Sequence, residues 1–280
     1  MTTRNSVLAA LGTPGVLFIL LFFLAPLSVL VVEAFAGGGA AFVILVEDPV
    51  FWKGLRGSLV LGTAAPAFSL LVGFATALFL ARQKSHLRTS LLFLISLPLT
   101  FSGLIIAYGF ILVFGRAGFL TLLLAKLGAD PATVGGFIYT PLGLGFAYSY
   151  YLIPRVVMIL LPVVVNFDKS QIAAAKSLGA GAFRACWEIL VPQILPSAIA
   201  AYCLTAAVAI GAYGTALALV GTQVNILPLV LYSKISETGT DFPAAAALSL
   251  VLMAITALIM VLAEFFNSLR KRETRRSKNA

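Results

Sequence analysis

Charged side chains are scarce in this sequence: Asp, Glu, Lys and Arg make up only 10% of its 280 residues, whereas 61% are hydrophobic. A water-soluble domain of this length needs far more charge to cover its surface. The scarcity therefore excludes a soluble globular protein. The excess of apolar side chains predicts an integral membrane protein whose outer surface faces lipid.

Residues that usually carry catalysis are also scarce. The chain has one histidine, His86, and two cysteines, Cys186 and Cys203. Two separated cysteines fit no metal-site spacing and form no disulfide framework. The Gly-Lys-Ser/Thr motif of a phosphate-binding loop does not occur, so we do not expect the chain to hydrolyse ATP itself. The sequence predicts no enzyme activity, no cofactor and no metal site.

Long apolar stretches, in contrast, are abundant. At about 1.5 Å of rise per residue, six of them are long enough to cross roughly 30 Å of hydrocarbon. They lie at residues 16–32, 58–80, 91–114, 141–163, 197–220 and 244–266. These stretches predict an all-α integral membrane protein of about six transmembrane helices, forming one domain over residues 1–280. We expect the first to be retained, because it contains Pro26 and no small-residue cleavage site follows it.

The distribution of basic residues predicts the orientation. With the N-terminus in the cytoplasm, thirteen of the 19 Lys and Arg residues lie on the cytoplasmic side and five on the other. Six of the thirteen lie in residues 270–280, directly after the last apolar stretch. Basic residues concentrate on the cytoplasmic side of membranes, so we expect both termini there. No aromatic side chains alternate with the basic tail, so it favours lipid over nucleic acid as its partner.

The connection between the fourth and fifth spans, residues 166–195, reads NFDKSQIAAAKSLGAGAFRACWEILVPQIL. Asp168 or Ser170 is suited to cap a first short helix that runs through Leu178. Its alanine-rich faces fit insertion into a groove on a partner protein, where a tightly fitting element can transmit a movement. We call this connection the coupling loop.

Glycine and proline punctuate the rest of the coupling loop. Gly179 and Gly181 are expected to end the first helix, and Gly179 can take a positive φ at low cost. A second helix over residues 182–190 is expected to end before Pro192. The loop is thus predicted to be two short helices joined by a glycine turn.

The coupling loop resembles the signature loop of permeases in binding-protein-dependent bacterial ABC importers. That pattern is Glu-Ala-Ala, three residues, Gly, nine residues, then Ile-x-Leu-Pro. The matching residues here are Ala174, Ala175, Gly179, Ile189 and Pro192, with Val191 in place of Leu. The resemblance implies that the loop docks in a cleft of a separate ATPase subunit and moves with it.

One departure from the pattern concerns its glutamate, which falls on Ala173. Either a partner permease carries the full motif, or Asp168 or Gln171 replaces the missing carboxylate. The sequence leaves both alternatives open.

The resemblance covers residues 51–266 and points to the branch of polyamine and 2-aminoethylphosphonate permeases. It includes GRAGFLTLLLAKLG after the third span and LPLVLYSKISETGTDFPAAAALSLVLM at the sixth. Permeases for sulfate, molybdate and ferric iron are more distantly similar. The resemblance implies a bacterial inner-membrane subunit that works with two ATPase subunits, a second and homologous permease, and a periplasmic solute-binding protein. It further implies import of a small polar solute, for which a polyamine is our expectation.

Four residues are candidates for the translocation path: Arg155 inside the fourth span, and Gly211, Tyr213 and Gly214 in the fifth. A charge within a span is costly and normally faces the interior of the bundle or reaches for the interface. Arg155 therefore either lines the path, or extends to the cytoplasmic headgroups or to Glu264. The tyrosines at 148, 150 and 151 fit either the path or an interfacial aromatic belt.

A secondary transporter or a channel is the main alternative function. Such a protein would need ionisable pairs inside the membrane, or helices broken at repeated positions. Neither is visible in the sequence, whose spans contain almost no Asp or Glu.

Overall fold

The computed structural model describes residues 13–221, 223–236 and 241–278, and their regular structure is helical. Six helical segments in this part of the chain are long and apolar enough to cross a membrane, which confirms the predicted fold class: Thr13–Ala34, Pro49–Ala81, Gly103–Ala125, Pro141–Val165, Phe183–Ile210 and Phe242–Phe266. The helices are α1 (Thr13–Ala34), α2 (Ala40–Glu47), α3 (Pro49–Ala81), α4 (Ser85–Ser96), α5 (Gly103–Phe114), α6 (Phe119–Ala125), α7 (Pro131–Gly136), α8 (Pro141–Val165), α9 (Ser170–Ser177), α10 (Ala182–Ala185), α11 (Val191–Ile210), α12 (Gly214–Val220), α13 (Leu227–Ser236) and α14 (Phe242–Lys278).

The two long helices α3 and α8 begin in the same way. Asp48 accepts a hydrogen bond from the Val50 N–H at 2.8 Å, and Thr140 accepts one from the Gly143 N–H at 3.2 Å. A proline follows each capping residue, where its fixed φ suits a helix and its missing N–H costs nothing. Local chemistry thus sets where both helices start.

Helix α8 is the centre of the bundle. In its most apolar stretch of 18 residues, 56% of the residues are buried, whereas none are buried in the corresponding stretch of α1. It packs against α3 and α11. A Cβ added to Gly73 of α3 would lie 2.6 Å from Cγ1 of Val156, so the α3–α8 contact requires glycine there. Helix α1, by contrast, leaves its apolar surface for lipid or for another chain.

Two of the predicted spans are not single helices. The stretch 91–114 is interrupted by a 3₁₀ turn at Leu97–Thr100, and α5 begins anew at Gly103. The stretch 197–220 is interrupted after α11, and α12 begins at Gly214. Pro98 cannot donate a helical hydrogen bond, and glycine at 211 disfavours helix. A proline in a span predicts a kink, and at Pro98 the structure goes further: the helix ends and a new one begins.

The second helix of the coupling loop does not end before Pro192. It continues from α10 through a π-helical turn, Cys186–Leu190, directly into α11. The wider π turn changes the hydrogen-bonding register, and Pro192 then lies in the first turn of α11. A change from π- to α-helical hydrogen bonding at this point accommodates a proline that would disrupt a regular helix interior. Where the sequence predicted the end of a helix, the structure therefore has a change from π-helix to α-helix.

Candidate functional sites: the coupling loop and a central cavity

The turn at Gly179 has the geometry of a Schellman motif. Gly179 has a φ of +88°, its N–H donates to the Lys176 carbonyl at 2.9 Å, and the Ala180 N–H donates to the Ala175 carbonyl at 3.0 Å. These two bonds satisfy carbonyls that the end of α9 would otherwise leave unpaired. No atom lies within 4 Å of a Cβ added at Gly179. A side chain there would be disfavoured by the backbone conformation and not by crowding.

The start of α9 is fixed by Asp168, one of the two predicted capping residues. Its Oδ1 accepts a hydrogen bond from the Ser170 N–H at 2.9 Å. The hydrogen bonds from Ser170 hold the pKa of the Asp168 carboxyl below its usual range. The carboxylate is therefore ionised at neutral pH and occupied within the loop.

The base of the coupling loop is fastened to the bundle. The side-chain amide of Gln193 donates to Oε1 of Gln171 at 2.6 Å, which ties α9 to α11. Ile172 packs beside a buried cluster that includes Leu190 and Ile194. Both residues that could replace the missing glutamate, Asp168 and Gln171, are thus engaged in bonds inside the loop.

The tip of the coupling loop exposes large apolar side chains. Leu178 is 90% exposed, Phe183 82% and Trp187 63%. The rings of Phe183 and Trp187 stack, with centroids 6.3 Å apart and planes 11° apart. These residues, which we call the apolar tip, were missed by the sequence analysis. The i, i+4 spacing of Phe183 and Trp187 on one helical face was the available signal.

The residues that match the permease signature loop lie around this tip and differ in how exposed they are. Gly179 forms the turn between α9 and α10, while Ile189 lies half-buried in the π-helical turn. The alanine side chains of α9 are exposed at 173 and 174 and half-buried at 175, and Pro192 is exposed. The structure therefore gathers the matched residues on one projecting hairpin.

A cavity of about 290 Å³ lies where the interrupted helices meet α8. It is bordered by the start of α5, by the middle of α8, and by the break between α11 and α12. The four predicted path residues, Arg155, Gly211, Tyr213 and Gly214, all line it. Irregular backbone at membrane depth is tolerated where it is enclosed by protein or lines a polar cavity. Both helix breaks fit this rule.

Arg155 turns towards the N-terminal end of α8, away from the coupling loop. Its Nη1 donates to the Tyr151 carbonyl at 3.2 Å, and its guanidinium carbon lies 5.6 Å from the centre of the Tyr151 ring. Neither of the two ion pairs among the described residues involves Arg155, so the alternative pairing with Glu264 is not formed. The side chain also does not extend towards the end of the bundle that carries the coupling loop.

Hydroxyl groups donate hydrogen bonds to backbone carbonyls beside both helix breaks. The Tyr148 hydroxyl donates to the Ala212 carbonyl at 2.7 Å, and the Thr215 hydroxyl donates to the Gly103 carbonyl at 3.0 Å. Tyr148 is fully buried, so it does not belong to an interfacial belt. The Tyr151 hydroxyl is also buried and forms no well-oriented hydrogen bond among the described residues, although the Thr215 side chain is a polar neighbour. The hydroxyl of Tyr151 is thus only weakly satisfied in the cavity wall.

Comparison with known proteins decides the family. Residues 69–276 match the family described as "Binding-protein-dependent transport system inner membrane component". The chain belongs to this family. It is therefore a multi-pass inner-membrane permease component of a binding-protein-dependent ABC importer, and not a catalytic subunit.

Individual relatives carry different substrate names. The chain is 29% identical over 244 residues to "Sulfate permease 2, chloroplastic" of Chlamydomonas reinhardtii, covering 86% of this chain and 64% of the relative. It is 27% identical over 266 residues to "Spermidine/putrescine transport system permease protein PotB" of Haemophilus influenzae, covering 91% and 92%. A chain in the crystal structure of a bacterial alginate ABC transporter shares the fold, with a TM-score of 0.78, 18% identity and 93% of each chain covered.

Proposed function

We propose that this permease forms the translocation path for a small polar solute and couples that path to a separate ATPase by alternating access. The observation that carries the proposal is the apolar tip, Leu178, Phe183 and Trp187. A stacked aromatic pair exposed at the end of a firmly based hairpin suits a pocket on a partner protein, where such side chains act as anchors.

The helix behind the apolar tip supports a mechanical role. One helical segment of 28 residues, Phe183–Ile210, runs from the tip to Gly211 at the edge of the cavity. At about 1.5 Å per residue it spans roughly 42 Å. A displacement of the tip by the ATPase would therefore move the cavity wall. The π-helical turn offers a place where this segment can bend.

The proposed transporter contains several subunits. Two ATPase subunits would bind the coupling loops below the membrane, and a second, homologous permease would complete the pore. A periplasmic solute-binding protein would deliver the solute from the other side, with both termini of this chain in the cytoplasm. No residue of the most apolar stretch of α1 is buried, which leaves ample surface for lipid or for the second permease.

The names of the relatives point to two different substrate classes. Sulfate permeases and spermidine/putrescine permeases both resemble this chain over most of its length. The resemblance of the sequence by itself favoured a polyamine. A small polar solute is the property that both groups share.

Affinity purification of the chain from native membranes, followed by identification of the co-purifying subunits, tests the proposal. An ATPase and a second permease should co-purify, and ATP should drive uptake by the assembled complex. Recovery of an intact chain without an ATPase, or uptake that does not depend on ATP, would instead favour a secondary transporter or a channel.

A variant sharpens this experiment. Changing both Phe183→Ser and Trp187→Ser should lower ATPase recovery by at least about tenfold, because two buried aromatic anchors are each worth roughly 2 kcal/mol. The control changes Phe119→Ser and Leu127→Ser, two side chains that are 73% and 80% exposed in and after α6. Equal ATPase recovery from both variants would remove the apolar tip from the proposal.

A further inference from the structure

The central cavity is lined by one charged side chain, and none of the described residues that border it supplies a counterion. Arg155 is that side chain, and its neighbours in the lining include no acidic residue. An unpaired charge at membrane depth is costly, and such residues usually mark the site of a substrate or an ion. Arg155 lies ten residues before the end of α8, or about 15 Å along the helix axis, so its guanidinium group is held well inside the bundle.

Contacts on the Arg155 side chain keep the positive charge in the cavity. Its hydrogen bond to the Tyr151 carbonyl and its position over the Tyr151 ring are interactions with a dipole and a π face, and neither neutralises it. A guanidinium group has five N–H donors in a planar fork. The bond to Tyr151 uses one nitrogen, which leaves donors suited to paired oxygens of an anion.

A second feature of the cavity also favours a ligand. The Tyr151 hydroxyl is buried and forms no well-oriented hydrogen bond among the described residues; the Thr215 side chain is a polar neighbour, and a further acceptor would stabilise the hydroxyl. The Thr215 hydroxyl, beside it in the cavity wall, donates to the Gly103 carbonyl. Gly103 is the first residue of α5, a helix of 12 residues whose positive end therefore borders the same space. An oxyanion would accept from the Tyr151 hydroxyl and oppose the charge.

We infer that this cavity binds an anionic group of the transported solute, a sulfate, phosphate or phosphonate, through the Arg155 guanidinium and the Tyr151 hydroxyl. The inference rests on the proposed function and narrows its substrate class. A polyamine carries several positive charges and would be repelled by Arg155. The cavity thus favours the chemistry of the sulfate-type relatives over that of the polyamine type.

The experiment uses the assembled transporter, with its ATPase, in nanodiscs of phosphatidylcholine. Thermal unfolding is measured with added sodium sulfate, inorganic phosphate, 2-aminoethylphosphonate or spermidine, each against sodium chloride at equal ionic strength. At least one oxyanion should raise the unfolding temperature in a saturable manner, since a ligand that binds the folded state stabilises it. Spermidine should not.

Variants of Arg155 separate binding from a general salt effect. Arg155→Gln should weaken the apparent oxyanion affinity by roughly 10- to 100-fold, the range expected for a charged hydrogen bond. Arg155→Lys should keep part of it, because the charge remains but the planar fork is lost. Tyr151→Phe should weaken it less. Arg116→Gln is the matched control, because Arg116 also lies over a tyrosine ring, that of Tyr139 at 5.8 Å, but outside the cavity.

Several results would overturn the inference. The first is stabilisation by spermidine that persists in Arg155→Gln. The second is an oxyanion response of equal size in Arg155→Gln and Arg116→Gln. The third is the absence of a response to any of the three oxyanions. Stabilisation by phosphatidylglycerol nanodiscs without a response to free oxyanion would assign the charge to lipid and also overturn it. In each case, retained ATPase and ATP-driven uptake in the wild-type complex would show that the proposed function still holds.

Discussion

Two turns of this molecule have the same backbone and different surroundings. Gly128 has a φ of +94° and Gly179 a φ of +88°. In each turn the glycine N–H donates to the carbonyl three residues back, at 3.0 and 2.9 Å, and the N–H of the next residue donates to the carbonyl five residues back, at 3.1 and 3.0 Å. An exposed leucine precedes each glycine, Leu127 at 80% and Leu178 at 90% exposure.

The segments on the C-terminal side of the two turns differ. Helix α8 separates the two turns along the chain, with Gly128 before it and Gly179 after it. Beyond Gly128, Asp130 caps the short helix α7 with bonds to Ala132 and Thr133. Beyond Gly179, the rings of Phe183 and Trp187 are exposed. The shared backbone geometry is therefore a way to end a helix, and function depends on the side chains that the turn presents.

The largest difference is expected from placing valine at each glycine. A β-branched residue is strongly disfavoured at positive φ, so Gly179→Val and Gly128→Val should strain their turns to a similar extent. Both chains should reach the membrane, because the spans are unchanged. Gly179→Val should reduce ATP-driven uptake to background and ATPase co-purification by at least about tenfold, whereas Gly128→Val should retain most of both. Uptake assays and quantified pull-downs measure the pair.

Normal complex yield together with normal uptake in Gly179→Val would remove the coupling-loop assignment. Equal losses in the two valine variants would show that the defect is one of folding and not of coupling.

Some features of this fold could be predicted from the sequence, and others could not. The number of spans is predictable from apolar length, and the turn at Gly179 from the intolerance of other residues for positive φ. Pro98 predicts a kink, but the sequence does not show that the helix ends there or after α11, because hydroxyl groups from distant residues bond to the backbone beside each break. Thr215, for example, bonds a carbonyl 112 positions away.

The coupling loop was only partly predictable for a related reason. Pro192 is a helix breaker in isolation, but the π-helical turn before it lets the chain continue as one helix into α11. The four candidates for the translocation path were chosen for different reasons: Arg155 for its charge, Tyr213 for its aromatic ring, and Gly211 and Gly214 for their small size. That they line one cavity depends on tertiary packing, which no local pattern encodes.

A smaller effect is expected from adding glutamate before each turn. Ala173→Glu restores the family residue on an exposed position of α9, so it should be tolerated or should raise ATPase recovery up to about threefold, within the range of one exposed ionic contact. Leu122→Glu, six residues before Gly128 as Ala173 is before Gly179, should not raise it. Equal changes in the two pull-downs would contradict a specific role for position 173.

The smallest effect is expected from the two aspartates that cap α9 and α7. Hydrogen bonds from Ser170 hold the pKa of Asp168 below its usual value, and those from Thr133 do the same for Asp130. The stability that a lowered carboxyl pKa contributes is present above the unfolded pKa and is lost as pH falls through the folded pKa. Both caps should thus be fully formed at pH 6 to 8.

Asp168→Ala should therefore lower ATPase recovery by no more than about twofold, equally at pH 6 and pH 8, and Asp168→Asn by less, because asparagine also caps helices. Asp130→Ala should leave recovery unchanged. The measurement is the same pull-down at the two pH values. An effect of Asp168→Ala that appears at only one of them would contradict this account of the cap.

The most direct test of the central claim uses a single cysteine at each of the matched leucines, Leu178→Cys and Leu127→Cys, with Cys186 and Cys203 replaced by alanine. In the assembled transporter, Leu178→Cys should form a cross-link to the ATPase whose yield changes when ATP is added, and Leu127→Cys should form none. In intact spheroplasts, a membrane-impermeant thiol reagent should label Leu127→Cys and not Leu178→Cys. Labelling of Leu178→Cys from outside, or a cross-link to the ATPase from Leu127→Cys alone, would contradict both the orientation and the role of the coupling loop.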